Sequence, residues 1–218
     1  MAISVAVPVG EATADLLIEK LVPRVESLKI GPYTAGDDVD FGPVVTREAQ
    51  RRILGLVDRG VEQGAELVVD GRGFRMQGYE DGFFVGACLF DRVTPEMDIY
   101  REEIFGPVLS TVRAGSYDEA VDLTMRSPYG NGTAIFTRDG DTARDFASRI
   151  NVGMVGVNVP IPVPLAYHTF GGWKQSGFGD LNQHGPDAFR FYTRTKTVTA
   201  RWPSGIKEGA AFSIPTME

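Results

Sequence analysis

Apolar positions along the chain fall into short groups with either helical or alternating spacing. The sequence opens on an apolar run, Ala2-Ile3-Ser4-Val5-Ala6-Val7-Pro8-Val9-Gly10. Domains seldom begin on a core-like segment, because termini usually lie exposed; the run predicts further polypeptide upstream. Leu17, Leu21, Val25 and Leu28 recur at helical spacing, predicting a helix over 14–28 that Pro23 should kink or break. A Gly- and Asp-rich loop follows over 31–40. Thr46 caps the next predicted helix, whose buried stripe is Ile53, Leu56, Val57 and Val61. Glu66-Leu67-Val68-Val69 reads as a strand ended by Asp70-Gly71, and 83–90 as another.

The middle of the chain is the most regular. Residues 108–113 predict a strand. Ser116 and Glu119 form a capping box for a helix ending near Arg126, before Pro128. Residues 133–137 are a strand, Ala143, Phe146, Ala147 and Ile150 mark one helical face, and 153–158 are a strand again. A β-α-β-α-β order predicts a parallel sheet with crossover helices. The segment Val159-Pro160-Ile161-Pro162-Val163-Pro164 can be neither helix nor central strand. It should be an extended loop at the carboxyl end of a parallel strand, where open α/β sheets place ligands. From Phe191 to Trp202, Thr193, Thr195, Thr197 and Thr199 alternate with Arg194, Lys196, Val198 and Ala200. That pattern predicts a strand with both faces partly wet, able to pair with another subunit's sheet.

Composition excludes several classes. With 43% hydrophobic and 23% charged residues, the 218-residue chain is globular rather than disordered. Lys plus Arg is 22 and Asp plus Glu is 29, a net −7 without a basic cluster, which argues against nucleic acid or an anionic membrane as partner. The longest apolar run is too short to span a bilayer and lacks a basic flank, so neither a membrane span nor a signal peptide is expected. One cysteine, Cys88, excludes an internal disulfide and a cysteine-based zinc site; His168 and His184 leave little for a histidine one, so no metal is expected. The cytoplasm is the expected compartment.

Two motifs carry candidate chemistry. In Arg101-Glu102-Glu103-Ile104-Phe105-Gly106-Pro107, a carboxylate that accepts two hydroxyl hydrogen bonds could hold a ribose, beside a ring that walls a planar nicotinamide. The same residues also read as a solvated loop before a strand. Phe170-Gly171-Gly172-Trp173-Lys174-Gln175-Ser176-Gly177-Phe178-Gly179 permits tight turns and close backbone approach. It could shape a substrate entrance or serve as a structural crossover. Neither a P-loop nor G-x-G-x-x-G is present. Cys88, inside an apolar run, reads as a buried inert thiol, and His168 and His184 as structural or surface residues. No catalytic Ser/His/Asp set is recognisable.

The block Glu102-Glu103-Ile104-Phe105-Gly106-Pro107-Val108, with Pro128-Tyr129-Gly130-Asn131-Gly132 and the Phe170-Gly171-Gly172-x-Lys174-x-Ser176-Gly177 motif, resembles the aldehyde dehydrogenase superfamily. Residues 153–164, Gly179-Asp180-Leu181-Asn182 and the segment from Phe191 to Trp202 are similar to its coenzyme A-acylating methylmalonate-semialdehyde branch. Most superfamily members carry R-E where Asp180-Leu181 stands. The resemblance implies an α/β fold: a parallel-sheet catalytic domain of aldehyde dehydrogenase type over 1–185, a C-terminal oligomerisation strand over 186–202, and a tail over 203–218. It implies NAD as cofactor, CoA as co-substrate, a small semialdehyde as substrate, and a homo-oligomer formed through the segment from Phe191 to Trp202. Glu103 resembles the carboxylate that holds the nicotinamide ribose, and Phe105 the ring beside the nicotinamide. Phe170 resembles an aromatic of the aldehyde pocket, with Pro160, Ile161 and Pro162 at its rim. In this branch G-Q-R-C is followed by a sequence like Met1-Ala2-Ile3-Ser4-Val5-Ala6-Val7, so the nucleophilic cysteine is expected immediately before Met1, absent from this chain. The chain alone is therefore expected to be inactive. The rival expectations are a catalytically dead interaction module and one half of a split enzyme.

Overall fold

The computed structural model describes residues 3–200 and Trp202. Met1, Ala2, Arg201 and the predicted tail over 203–218 lie outside the described residues. The elements run β1 (Val5–Ala6), α1 (Glu11–Glu26), α2 (Arg47–Glu62), β2 (Glu66–Val69), β3 (Cys88–Asp91), α3 (Asp98–Arg101) and β4 (Val108–Thr111). They continue with α4 (Tyr117–Arg126), β5 (Tyr129–Gly130), β6 (Gly132–Ile135), α5 (Gly140–Arg149), β7 (Met154–Val157), β8 (Trp173–Lys174) and α6 (Ala188–Tyr192).

The α/β class with parallel pairing is as the sequence predicts, but the sheet is divided. One sheet has the order β1-β4-β3-β2; a second is the pair β6-β7 and a third β5-β8. β4 runs parallel to β1 (Val5↔Ser110) and to β3 (Cys88↔Val108). Both edges of β4 are thus occupied, so β6 cannot join it, although β6 and β7 pair in parallel through all four residues. Of the two crossovers that the β-α-β-α-β order predicts, only β6-α5-β7 joins parallel strands of one sheet; the order could not report which strands are neighbours.

Local signals hold where capping chemistry fixes them. Thr46 Oγ1 accepts the Ala49 N–H at 3.0 Å and Ser116 Oγ the Glu119 N–H at 3.2 Å, each occupying a free donor of a first helical turn. Ile53, Leu56 and Val57 are fully buried under α2. Val61 is 40% exposed and not part of that stripe. Gly60 takes its place: a Cβ there would fall 2.8 Å from Ile99 Cδ1 and 3.0 Å from Phe90 Cζ, so its absence lets α2 settle on the sheet. Helix α1 begins earlier than predicted, after Gly10 turns the chain at φ 87°, and continues through Pro23 to Glu26, leaving Leu28 outside. Of the predicted 83–90 segment only 88–90 form strand, as part of β3, because β2 and β4 offer ladder partners only along β3. A smaller core of Val121, Phe146, Ile150 and Val152 holds α4 and α5 to β7.

The C-terminal segment departs from expectation. Phe191 and Tyr192 close the short helix α6, and no strand forms between 193 and 200. A β-branched alternating run makes a strand only where a second backbone completes the ladder; here Val198 and Trp202 stand exposed. No described helix is long and apolar enough to cross a membrane.

Candidate functional site

The Glu-Glu-Ile-Phe-Gly-Pro loop bridges α3 and β4 across the flank of α2. Ile104 is buried, while Glu103 and Phe105 on either side of it point outward, the ring 76% exposed. Two consecutive residues of α2 hold this loop. Arg52 donates from Nη1 to the Glu103 carbonyl at 3.1 Å and from Nη2 to the Ile104 carbonyl at 2.7 Å. Ile53 lies where a Cβ on Gly106 would be, 2.7 Å from its Cδ1, so only glycine fits. Between these anchors Phe105 adopts φ 55°, a left-handed conformation that bulky residues rarely hold without surrounding constraint. An exposed carboxylate and an exposed ring are thus presented side by side on a constrained backbone. Carboxylate oxygens accept hydroxyl hydrogen bonds, and an aromatic face packs a flat heterocycle. Both groups suit the ribose and nicotinamide of a dinucleotide.

The second set of predicted residues gathers around β6 and β7. Asn158 leaves β7 at φ 56°, its Oδ1 accepting the Thr137 N–H and its Nδ2 donating to the Thr137 carbonyl, each at 3.0 Å. These bonds tie together the carboxyl ends of the two strands. The proline-rich loop then folds back: Pro162 lies over Gly132 and Gly156, while Pro160 and Ile161 are exposed. Phe170 is half-buried, its ring 4.4 Å from the His184 ring. It therefore has a packing partner on one side.

The glycine-rich motif is largely a crossover. Gly171 rests on Gly153, and Gly172 and Gly177 pack against main chain within the same turn. Lys174, at φ 53°, reaches the Met125 and Ser127 carbonyls at 2.9 and 3.0 Å, satisfying the carboxyl end of α4. Ser176 Oγ accepts the Gly130 N–H at 3.1 Å. The motif's lysine, serine and glycines thus fix the loop that carries Phe170. No described hydrogen bond or ion pair joins this group to the loop of Glu103; the two stand on different sheets.

Sequence reasoning passed over Arg52 and Asn158. Asn at a strand end, before a proline-rich segment, was a readable hint of left-handed backbone. Nothing local marked Arg52, whose partners lie 51 and 52 positions away.

Elsewhere the strongest electrostatic feature is structural. Asp91 is 2% exposed, and its carboxylate accepts from Arg113 Nη2 at 2.6 Å. Burial alone would raise the Asp91 carboxyl, but the bonds from Arg113 and the Arg92 N–H hold it below the usual carboxylate value. Arg113 also bonds Glu11 and Asp15, tying the start of α1 to β3. Cys88 is buried, as predicted. Its thiol accepts the Gly71 N–H, and burial pushes its pKa up, the opposite of an activated nucleophile.

The sequence model of the aldehyde dehydrogenase family matches residues 2–198. The chain is 60% identical over 218 residues to the malonate-semialdehyde dehydrogenase of Pseudomonas aeruginosa, covering 100% of this chain and 44% of that protein. Against malonate-semialdehyde dehydrogenase 1 of Geobacillus thermodenitrificans it is 45% identical, covering 93% and 41%. Among solved structures, the methylmalonate-semialdehyde dehydrogenase of Oceanimonas doudoroffii superposes with a TM-score of 0.87 at 56% identity, over 93% of this chain and 41% of that one. A Sinorhizobium meliloti protein assigned to the same activity, solved with NAD, gives 0.88 at 72% identity over 94% and 42%. The chain spans less than half the length of the curated relatives it matches.

Proposed function

The chain belongs to the aldehyde dehydrogenase family of oxidoreductases, and from that premise we propose that it is the C-terminal catalytic and oligomerisation region of an NAD-dependent malonate- or methylmalonate-semialdehyde dehydrogenase. In the complete enzyme the semialdehyde, CoA and NAD would give an acyl-CoA and NADH. The observation that carries the reading is the constrained loop that offers the Glu103 carboxylate and the Phe105 ring together.

Glu103 would accept the ribose hydroxyls of NAD, and Phe105 would pack beside the nicotinamide, which supplies the hydride acceptor when bound. Phe170 would line the aldehyde pocket, with Pro160, Ile161 and Pro162 at its rim. The substrate class rests on the relatives' activities. The buried Cys88 is the one cysteine among the 218 residues and cannot serve as nucleophile, so the reaction calls for a thiol from outside this sequence. The unpaired segment 193–200 would complete a ladder with another copy of the chain. The proposed compartment is the cytoplasm, where a single thiol stays reduced.

The test compares this chain alone with a chimera in which the part of the Pseudomonas aeruginosa relative preceding the aligned region is joined to Met1. With malonate semialdehyde, NAD and CoA, the chimera forms NADH and the chain alone does not. A clear rate from the purified chain alone would overturn the assignment of the nucleophile to upstream sequence. A second reading, a catalytically silent interaction module, draws on the exposed residues 193–200 and Trp202. It predicts co-purification with a full-length relative and no activity in the chimera.

A further inference from the structure

Arg52 is exposed on the second turn of α2, and its described hydrogen bonds go to two successive main-chain carbonyls, those of Glu103 and Ile104. We propose that Arg52 is a positioning residue for cofactor binding: its guanidinium sets the backbone from which the Glu103 carboxylate and the Phe105 ring project. This rests on the reading of Glu103 and Phe105 as the nicotinamide-side contacts.

Three features carry the inference. The first is geometric. A planar guanidinium presents N–H groups in a rigid fork, and the fork spans the two carbonyls directly preceding Phe105. An ammonium at the end of a lysine could bond one such carbonyl but could not reproduce the fork.

The second is strain. Phe105 is held at φ 55° with its ring exposed, so its own side chain contributes little packing to keep it there. Such a conformation persists only where its neighbours impose it. The constraints are Arg52 on the preceding carbonyls and the tight fit of Gly106 over Ile53 on the following side. Both belong to α2, whose Ile53, Leu56 and Val57 are fully buried, so a rigid element sets the loop.

The third is what Arg52 does not do. Its exposed side chain is absent from the buried cores, and it takes no part in the described ion pairs, including those of Arg59 with Asp98 and Glu102 on the same helix. Losing it opens no cavity. The expected consequence is a loosened loop, with the fold intact.

The experiment has two arms. In the 218-residue chain, hydrogen exchange of the 102–106 amides is compared between the parent and Arg52→Met. Faster exchange confined to this loop, at an unchanged melting temperature, is expected. Unchanged exchange there would overturn the positioning role whatever the cofactor does.

In the chimera described above, NADH affinity is measured for Arg52→Met, Arg52→Lys, Glu103→Gln and the Arg52→Met/Glu103→Gln double variant. Arg52→Met should weaken NADH binding about tenfold, because small misplacements of a contact group are costly. Arg52→Lys should recover part of the loss, and the KM for the semialdehyde should stay put. The losses in the double variant should be less than additive, since part of the Arg52→Met effect acts through the Glu103 carboxylate that Glu103→Gln has already altered, the remainder being the displaced Phe105 ring. If Glu103→Gln weakens binding and Arg52→Met does not, the inference is wrong and the site reading stands. If Glu103→Gln itself changes nothing, the site reading fails, and the cofactor role of Arg52 fails with it.

Discussion

The backbones of Gly153 and Gly171 touch: a Cβ on Gly153 would fall 1.4 Å from the Gly171 carbonyl oxygen. No side chain can be accommodated there without moving main chain on one side or the other. The contact seats the glycine-rich loop on the segment that opens β7, and Phe170 is the residue immediately before it.

Gly153→Ala should therefore expel the loop. The expected cost is about 3 kcal/mol, at the upper end of overpacking effects because the obstacle is backbone. Urea unfolding would show it, with hydrogen exchange rising over 170–177. A change below about 1 kcal/mol would mean the loop can shift freely and is not fixed by this contact.

The Asp91–Arg113 pair predicts an asymmetry. Arg113→Met leaves Asp91 buried without its cation, which should cost about 3–5 kcal/mol. Asp91→Asn leaves Arg113 with Glu11 and Asp15 and should cost less. The sign with pH follows from the depressed Asp91 carboxyl. Its contribution is present above the ordinary carboxylate value of about 3.9 and is lost as pH falls through the lower folded value. Denaturant midpoints between pH 2 and 6, roughly the carboxylate range, should fall less steeply in Asp91→Asn than in the parent. Equal costs for the two substitutions would contradict the network.

Tyr117 gives the alkaline counterpart. Burial and a 2.7 Å bond to Asp145 push its hydroxyl up to about 12. Because the folded value is raised, its contribution is complete below the unfolded value of about 10 and is lost as pH climbs from there toward 12. Tyrosinate absorbance should show two late-titrating groups, Tyr117 and Tyr100, whose hydroxyl burial also raises, and one of them disappears in Tyr117→Phe. If all tyrosines titrate together near the ordinary value, the bond to Asp145 is not formed in solution.

Phe105→Gly separates stability from binding. Glycine relieves the left-handed strain, offset by its greater freedom when unfolded, so unfolding free energy should stay within about 1 kcal/mol of the parent. NADH affinity in the chimera should nevertheless fall, since the exposed ring is lost. Unchanged affinity would remove Phe105 from the site.

These cases also show which parts of the molecule were legible in the sequence. Thr46 and Ser116 were readable as caps because an N-cap and its acceptor chemistry lie within one turn. Glu103, Phe105 and Phe170 were named from a resemblance; the residues that position them act over distance. Arg52 reaches carbonyls 51 and 52 positions away, and Gly153 meets a loop from beyond β7. Strand adjacency was hidden for the same reason: β4 finds both partners outside the regular middle segment. The segment from Phe191 to Trp202 was read as a strand because alternation reports a capacity for pairing, while a ladder also requires a partner.

The most direct test of the account is the identity of the product. The chimera is incubated with malonate semialdehyde, NAD and CoA, and the CoA pool is analysed by mass spectrometry while NADH is followed at its absorbance band. The account predicts an acyl-CoA thioester formed one-for-one with NADH, and loss of both when CoA is omitted from multiple-turnover reactions. NADH accompanied by free acid, with CoA unmodified, would contradict the acylating assignment.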